Sequence, residues 1–267
     1  MSAVSRSICR DVGPNELGTR IGDGFDVRSL GLTYQTGHVV KEHSHAWAQL
    51  VYAKSGLMSV ETGGNVWFVP PTKAVWIPPR AVHRIEFTGQ VQMRTLYIST
   101  ARAMLSRKAV ETIGVSALLS QLIQHIQTLE MLDPVIPEHD HLASVLMDLI
   151  ASAPALDMVL PQPVDDRANQ LARLIRENPA QKSDLSHLSN QVGASLRTMQ
   201  RCFRAETGLS LDTWRKKSRL IHALAHLTDG ASVTDAALEC GYESTSAFIV
   251  VFKKHFGVTP GRLAKVS

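Results

Sequence analysis

An internal repeat in the C-terminal third constrains the fold of this chain more than any other feature of its sequence. The two copies begin at Leu185 and Val233, and matching residues lie 48 positions apart up to the first glycine and 49 positions apart after it. The repeat therefore predicts two copies of one small helical unit, with one residue inserted in the turn of the second. The matched pairs are Leu185 and Val233, Leu188 and Ala236, Ser189 and Ala237, Gly193 and Gly241, Ser195 and Ser244, Met199 and Phe248, Phe203 and Phe252, and Gly208 and Gly257.

Each copy has the residues that a helix-turn-helix unit needs. Gly193 and Gly241 suit the left-handed backbone of the turn, and the serines that follow them are good N-caps for the next helix. Two large apolar residues four positions apart then form a buried stripe, and a glycine ends the helix. A plain helical bundle could use the same pattern. Two copies in register, with arginines on the exposed face, favour units whose second helices enter the major groove of DNA.

The positive charge of the chain is concentrated in the same region. From Asp165 onward there are 15 Lys and Arg residues against 10 Asp and Glu residues, whereas the preceding part has 13 against 14. A basic region beside a nearly neutral one favours a polyanionic partner, although a solvated basic surface would give the same count.

The DNA-binding domain of AraC/XylS-family transcription regulators closely resembles two segments, SLRTMQRCFRAETGLSLDTWRKKSRLIHALAHL and SVTDAALECGYESTSAFIVVFKKHFGVTPGR. The resemblance covers residues 165–267 and includes GYES-x-SAF-x-x-x-FK-x-x-FG-x-TP. It implies that a rigid helix, matched by residues 211–227, joins two units whose recognition helices lie in successive major grooves. The sequence thus indicates a sequence-specific transcription regulator, either an activator or a repressor.

The same resemblance assigns the residues that contact DNA. They are Arg197, Thr198, Gln200 and Arg201 on the first recognition helix, and Thr245, Ser246, Ile249, Val250 and Lys253 on or beside the second. Arg and Gln suit bidentate contacts with guanine and adenine, whereas Ile and Val can touch only thymine methyl groups. We therefore expect the first unit to supply most of the base specificity. Candidates for phosphate contact, or else for solvated surface, are Lys253, Lys254 and residues 215–217.

The N-terminal part has two kinds of pattern. Up to about residue 100, short segments rich in Val, Trp, Tyr and Ile alternate with Gly and Pro, which predicts a small β-barrel or sandwich with a hairpin turn at residues 62–65. After residue 101, apolar residues at three- and four-residue spacing predict two amphipathic helices, separated by residues 133–137. These helices could cover the open face of the barrel or pair with a second copy of the chain.

Two histidine motifs in the predicted barrel resemble those of cupins. The first is Gly37-x5-His43-x-His45-x3-Gln49-x6-Gly56, and the second is Pro78-x4-His83. Gln49 stands where a metal-binding cupin normally has Glu, Arg80 replaces the usual glycine of the second motif, and Glu86 stands where Asn is common. His43 and His45 are two positions apart on a predicted strand, so both should face the same side.

Three interpretations of these histidines remain open at this point. His43, His45 and His83 could hold a divalent transition metal, with Gln49 beside them. They could instead bind an effector through hydrogen bonds, or be structural residues without a ligand. His139 and His141, near the start of a predicted helix, are interpreted as solvated side chains.

The predicted fold class is α+β with two domains. We predict a cupin-like, effector-binding β-barrel over residues 1–105, a helical pair that dimerises over 106–153, a proline-bearing linker over 154–164 and an AraC-type DNA-binding domain with two helix-turn-helix units over 165–267. The expected partners are double-stranded DNA, a small-molecule effector, a second copy of the chain in a homodimer, and RNA polymerase.

The sequence argues against membrane and secreted classes. No apolar run approaches the roughly 20 residues of a membrane helix, and the N-terminus lacks the apolar stretch of a signal peptide. Cys9, Cys202 and Cys240 are too widely spaced for a disulfide framework or a zinc site. We therefore expect a cytoplasmic protein.

We predict a regulator rather than an enzyme. The alternative is a catalytic cupin, such as an oxygenase or isomerase, fused to a DNA-binding domain. Gln49 argues against it because it removes an anionic metal ligand. A third hypothesis is a constitutive regulator whose barrel serves only for dimerisation.

Overall fold

The computed structural model of the chain describes residues 24–35, 37–103, 106–177 and 184–264. Cys9 and the first part of the predicted barrel lie outside these residues. The chain divides into two compact units, one formed by residues 1–63 and 67–157 and the other by residues 64–66 and 158–267. None of the helices in the described segments combines the length and apolar character needed to cross a membrane.

The first unit is built on an antiparallel sheet. The strands in this part of the chain are β1 (Val27–Tyr34), β2 (Val39–His43), β3 (Ala48–Thr62), β4 (Asn65–Val69), β5 (Lys73–Ile77), β6 (His83–Ile98), β7 (Glu111–Gly114), β8 (Met131–Leu132) and β9 (Ala155–Leu156). The order of the main strands is β8-β1-β6-β3-β5-β7-β9, and β2 also pairs with β6. The predicted hairpin turn lies between β3 and β4, where Gly63 and Gly64 have φ of 56° and 71°.

The long strand β3 is buried on both faces, because alternate side chains enter two different cores. Leu50 and Tyr52 belong to one core, and Val51 and Ala53 belong to the other. The second core also contains Val75, Ile77, Ile85, Phe87 and Met93.

In the part of the first unit that the structure describes, the helices are α1 (Thr100–Ala103), α2 (Ala117–Leu129) and α3 (Pro137–Ser152). Ser116 caps α2 by accepting a hydrogen bond from the backbone of Leu119 at 3.1 Å, and Pro137 begins α3. The apolar stripes of α2 and α3 include Ile123 and Leu146, and both residues share a core with Leu50 of the sheet.

The predicted division at residues 105 and 153 differs from this arrangement. The helices do not form a separate body; they cover one face of the sheet, and strands β7 and β8 from the same segment join that sheet. The large apolar residues that remain exposed on the pair are Leu118, at 61% exposure, and Val145, at 44%. Covering the sheet buries more apolar surface within one chain than an isolated helical pair could bury.

The segment 154–164, predicted as a linker, contains ordered structure. Ala155 in β9 pairs with Ile113 in β7, and β10 (Val159–Pro161) follows. Met158 and Leu160 are buried. The boundary between the two units therefore falls inside this segment, between Asp157 and Met158, and the apolar residues between its prolines explain why it is not an open linker.

The second unit is helical. After β10 its helices are α4 (Asp166–Glu177), α5 (Leu185–Gln191), α6 (Leu196–Thr207), α7 (Leu211–Thr228), α8 (Val233–Glu239), α9 (Thr245–Phe256) and α10 (Pro260–Ala264). The connecting helix α7 is central and packs against α4, α6, α8 and α10. Its Trp214 is fully buried, contacts the ring of Phe203 edge-on and donates a hydrogen bond to the carbonyl of Pro161 at 2.6 Å.

Candidate functional site

The two repeated turns have the same backbone geometry. Gly193 and Gly241 adopt φ of 69° and 73°. In the first turn Ala194 donates its N–H to the carbonyl of Ser189 at 3.1 Å, and in the second Tyr242 donates to the carbonyl of Ala237 at 2.9 Å. Both copies are therefore helix-turn-helix units, as the repeat predicts.

The serine after each turn caps the recognition helix. Ser195 accepts a hydrogen bond from the backbone of Thr198 at 3.2 Å, and Ser244 accepts one from Ala247 at 3.4 Å. Each recognition helix ends at a left-handed glycine, Gly208 in α6 and Gly257 in α9. The inserted residue of the second copy lies between its turn glycine and Ser244, where it lengthens the loop without changing the caps.

The first recognition helix, α6, has the two faces that the sequence predicts. Met199 and Phe203 are completely buried. The opposite face exposes Arg197, Gln200 and Arg201. Thr198 is half-buried, and its hydroxyl lies 2.9 Å from the Ser195 hydroxyl, so its side chain takes part in the helix cap.

The second recognition helix, α9, presents a different surface. Phe248 and Phe252 are completely buried. Val250 is 67% exposed and Val251 is 38% exposed. Of the other predicted contact residues, Ser246 and Lys253 are exposed, and Thr245 and Ile249 are half-buried. The accessible surface of α9 is thus more apolar than that of α6.

The predicted phosphate-contacting residues differ in their exposure. Lys216, Lys253 and Lys254 are exposed. Lys217 is only 7% exposed, and Arg215 is half-buried with a pKa lowered by burial and then by the charge of Arg219. Lys217 is therefore a packed residue of α7 rather than a surface cation, which sequence periodicity did not indicate because lysine is rarely buried.

In the first unit, His43, His45 and His83 come together. His43 ends β2 opposite His83 at the start of β6, and their ring centroids are 4.3 Å apart. The His45 ring centroid is 5.1 Å from that of His83 and 5.9 Å from that of His43. One metal-binding nitrogen from each ring lies within 4.8 Å of the others. We call these three residues the barrel histidines.

His45 lies in the loop that follows β2 and not on the strand itself. The predicted alternation of side chains along one strand is therefore not the reason that His45 lies beside His43. The backbone carbonyl of His45 accepts a hydrogen bond from Arg80 at 2.8 Å. Arg80 has φ of 65°, and this left-handed conformation explains why glycine is usual at the matching position of the cupin motif. Glu86 of the same motif pairs with Arg84.

Backbone carbonyls determine the tautomer of all three barrel histidines. The Nδ1 atoms of His43, His45 and His83 lie 2.7, 2.7 and 2.9 Å from the carbonyl oxygens of Lys41, Trp47 and Ala81. A carbonyl oxygen can only accept, so each Nδ1 carries a hydrogen and the lone pair of each neutral ring is at Nε2. Burial lowers the pKa of His45, and lowers that of His83 to about 4, so both rings are neutral at pH 7.

Gln49 adds a fourth acceptor. The Thr95 hydroxyl donates to the carbonyl of Leu50 at 3.1 Å and accepts from the Gln49 amide nitrogen at 2.9 Å. This chain of hydrogen bonds directs the Gln49 amide oxygen toward Nε2 of His45, 3.1 Å away. Two acceptors therefore face each other, and Nε2 of His83 is buried without a hydrogen-bond partner. A cation or a strong hydrogen-bond donor would satisfy all of these atoms.

Two other histidine groups have different settings. His139 accepts a hydrogen bond from the backbone of Asp133 at 3.1 Å, and His141 is exposed. Among the described residues, the second group with metal-ligand geometry consists of His222, His226 and Glu239. The sequence does not reveal this group, because its members belong to two helices; the four-residue spacing of the two histidines is the available signal.

Comparison with known proteins agrees with both units. A family model for an AraC-like ligand binding domain matches residues 29–191, and one for a helix-turn-helix domain matches residues 188–265. The HTH-type transcriptional regulator NimR of Escherichia coli is 30% identical over 220 residues, which are 82% of this chain and 80% of NimR. The virulence regulon transcriptional activator VirF of Yersinia enterocolitica is 26% identical over 225 residues, 82% of this chain and 81% of VirF.

Among solved structures, ToxT of Vibrio cholerae aligns with 90% of this chain and 99% of its own, at 9% identity and a TM-score of 0.39. The family models together extend from residue 29 to residue 265 and assign a ligand-binding domain followed by a helix-turn-helix domain. The chain therefore belongs to the AraC/XylS family of DNA-binding transcription regulators.

Proposed function

We propose that this regulator recognises its DNA site mainly through α6, under the control of a ligand held by the barrel histidines. The exposed surface of α6 carries the supporting observation. Arg197, Gln200 and Arg201 project from it, and their side chains can make paired hydrogen bonds with guanine or adenine. The exposed Val250 of α9 offers only apolar contact, which suits thymine methyl groups.

Substitution of Arg201 tests this proposal. Arg201→Ala should weaken binding to the specific DNA site by about 1–3 kcal/mol, with a much smaller effect on non-specific DNA, because a base contact carries sequence information and a phosphate contact does not. Arg201→Lys is the matched control, since it keeps the charge but loses the planar fork. In titrations at constant salt, Arg201→Lys should bind the specific site as weakly as Arg201→Ala does. On non-specific DNA it should bind with the affinity of the wild type. Equal losses on both DNAs would reassign Arg201 to phosphate contact.

For the barrel histidines we propose a divalent transition metal. The ligand atoms would be Nε2 of His43, His45 and His83 together with the amide oxygen of Gln49. Three imidazoles whose ligand atoms lie within 4.8 Å of one another, with the Gln49 amide oxygen beside His45, support a cation. Each imidazole is already held by a second hydrogen bond, as is usual for metal-binding histidines. The 3.1 Å separation of the Gln49 oxygen and His45 Nε2 suits two ligands of one ion. Three imidazoles and one neutral oxygen suit Fe, Co, Ni or Zn.

The neutral ligand set also indicates a class of effector. A metal held by four uncharged ligands keeps its full positive charge, whereas a glutamate at position 49 would reduce it. An anionic small molecule, such as a carboxylate, is therefore the effector that such a site would favour. The competing proposal, an effector that donates hydrogen bonds to the same acceptors, rests on the unpartnered Nε2 of His83.

Metal analysis of the purified protein tests the metal proposal. The full-length chain should contain close to one equivalent of a divalent transition metal in the barrel, and His43→Ala/His45→Ala should lose it. His125→Ala is a suitable control because His125 is exposed on α2 and lies outside both metal-ligand groups. A metal-free protein with a full response to its effector would contradict the proposal and leave the hydrogen-bonding pocket.

The remaining proposals concern partners and activity. We propose a homodimer that binds paired DNA sites and acts with RNA polymerase in the cytoplasm, where the DNA is located. We also propose that the barrel has no catalytic turnover, because Gln49 supplies no anionic ligand and, among the residues that the structure describes, no carboxylate joins the barrel histidines. Turnover of a substrate by the metal-loaded protein would favour the fused-enzyme alternative.

A further inference from the structure

The second group of metal-type ligands lies in the DNA-binding unit and is not used by the function proposed above. His222 and His226 belong to α7, and Glu239 is the last residue of α8. We propose that these three side chains form a separate divalent-metal site, which takes a Zn²⁺-type transition ion and links the connecting helix α7 to the second helix-turn-helix unit. This proposal does not depend on the barrel site.

The geometry brings three ligand atoms together at an accessible position. His222 and His226 are four residues apart on one face of α7, and their Nε2 atoms are 2.8 Å apart. The ligand atoms of all three residues lie within 4.8 Å of one another. The side chain of His226 is 33% exposed and that of Glu239 is 53% exposed, so an ion can enter from solvent. Burial lowers the pKa of His222, and the neighbouring His226 adds to the shift, so the His222 ring is neutral at pH 7.

Hydrogen bonds define how an ion would enter. Glu239 lies 2.7 Å from His226 Nδ1 and can only accept, so Nδ1 carries a hydrogen and the His226 lone pair is at Nε2. His222 donates its Nε2–H to that lone pair. On metal binding, the hydrogen of His222 moves from Nε2 to Nδ1. Both Nε2 lone pairs then bind the ion, and the two rings release no net proton.

The residues fit a zinc-type ion closely. Two nitrogen ligands of a tetrahedral Zn²⁺ are about 3.3 Å apart, so the two Nε2 atoms need to separate by only about 0.5 Å. Two histidines four apart on one helix face are a known pair of zinc ligands. A carboxylate on the Nδ1–H of a ligating histidine also orients the ring and makes it a better ligand. Glu239 is placed for this role, and its negative charge favours a cation.

An ion at this position would have a local structural effect. The helix α8 is the first helix of the second helix-turn-helix unit and packs against α7. The ion would be held by two histidines of α7, and Glu239 of α8 holds one of those rings through the Nδ1–H of His226. Ion binding therefore stabilises the contact between the two helices, because the ion binds best when that hydrogen bond is made. The amide hydrogens of α8 should therefore exchange more slowly with solvent when the ion is present.

Cobalt and zinc binding to the full-length, chelator-treated protein tests the proposal. The double variant His43→Gln/His83→Gln removes the barrel site, and it should still bind one Co²⁺ ion per chain and give visible absorption bands. Adding His226→Gln to this variant should abolish Co²⁺ binding, and adding Glu239→Gln should weaken it by about 10–100-fold. The matched control is His187→Gln, an exposed histidine on α5 of the same unit, which should leave binding unchanged.

Hydrogen exchange of α8 in the otherwise wild-type chain gives a second readout that needs no barrel variant. Zn²⁺ should slow exchange in wild type and in His187→Gln, but not in His226→Gln. Unchanged α8 exchange with Zn²⁺, or a Co²⁺ equivalent that survives His226→Gln, would overturn the proposal. Failure of the barrel proposal would appear differently. The wild-type protein would then bind one metal ion per chain instead of two, and the variant His226→Gln would bind none.

Discussion

Arg80 shows how one backbone conformation connects a sequence motif to a site. Its φ of 65° places it in the left-handed region, and its N–H holds the carbonyl of His45 at 2.8 Å. A glycine would adopt this conformation without a Cβ penalty, whereas arginine costs about 1–2 kcal/mol there. The departure from the cupin motif at this position thus affects stability while leaving the hydrogen bond intact.

We expect Arg80→Gly to be more stable than Arg80→Ala by about 1 kcal/mol. Both variants remove the same side chain, but only glycine relieves the left-handed strain, and part of that gain is offset by the greater freedom of glycine in the unfolded chain. Chemical denaturation of both full-length variants measures the difference. A more stable alanine variant would contradict the strain at Arg80.

At the scale of elements, the two helix-turn-helix units depend on local signals. Gly193 has φ of 69°, and a Cβ added there would meet no atom within 4 Å. The requirement for glycine is therefore conformational and not a matter of space. The same holds for the caps, because Ser195 and Ser244 each bond to the backbone three residues later. Such features can be identified without knowing the tertiary structure.

Substitutions of Gly193 separate backbone strain from steric conflict. Gly193→Val should destabilise the DNA-binding unit by about 1–2 kcal/mol or more, since β-branched residues are strained in the left-handed region. Gly193→Asn should cost clearly less, because asparagine tolerates that region. Thermal unfolding and operator binding of both variants provide the measurement. Equal losses for Val and Asn would show that something other than φ governs the turn.

At the scale of the whole molecule, the apolar stripes of α2 and α3 predict a dimer contact, but they pack against the sheet of their own chain. Ile123 and Leu146 are buried against the sheet of the same chain, so these stripes are not available to a partner. Leu118 and Val145 remain exposed on the two helices. The dimer that we propose must therefore use these residues or another surface.

We expect Leu118→Lys/Val145→Lys to produce a monomer that binds a single DNA half-site normally but loses the gain in affinity on paired sites. Two linked recognition domains bind more tightly than one because the second contact is intramolecular. Val135→Lys is the control, since Val135 is 85% exposed in the loop between the helices. Sedimentation and titrations on single and paired sites measure both effects. A wild-type chain that sediments as a monomer and gains nothing on paired sites would disprove the dimer.

The sequence by itself determined the features that depend on short-range chemistry. The repeat predicted both helix-turn-helix units, including the inserted residue before Ser244, because turns, caps and buried stripes are local patterns. The histidine motifs likewise predicted that His43, His45 and His83 would lie together. In each case the relevant residues are close in sequence or are constrained by a motif with defined spacing.

Only the tertiary structure decided which apolar and polar groups meet across long separations. Periodicity shows that α2 and α3 have buried faces, but not that the covering surface is the sheet of the same chain. Burial of Lys217 and the position of Glu239 beside His226 depend on how α7 packs with its neighbours. The hydrogen bond that the Gln49 amide donates to the Thr95 hydroxyl joins residues 46 positions apart, and no pattern within either strand encodes it.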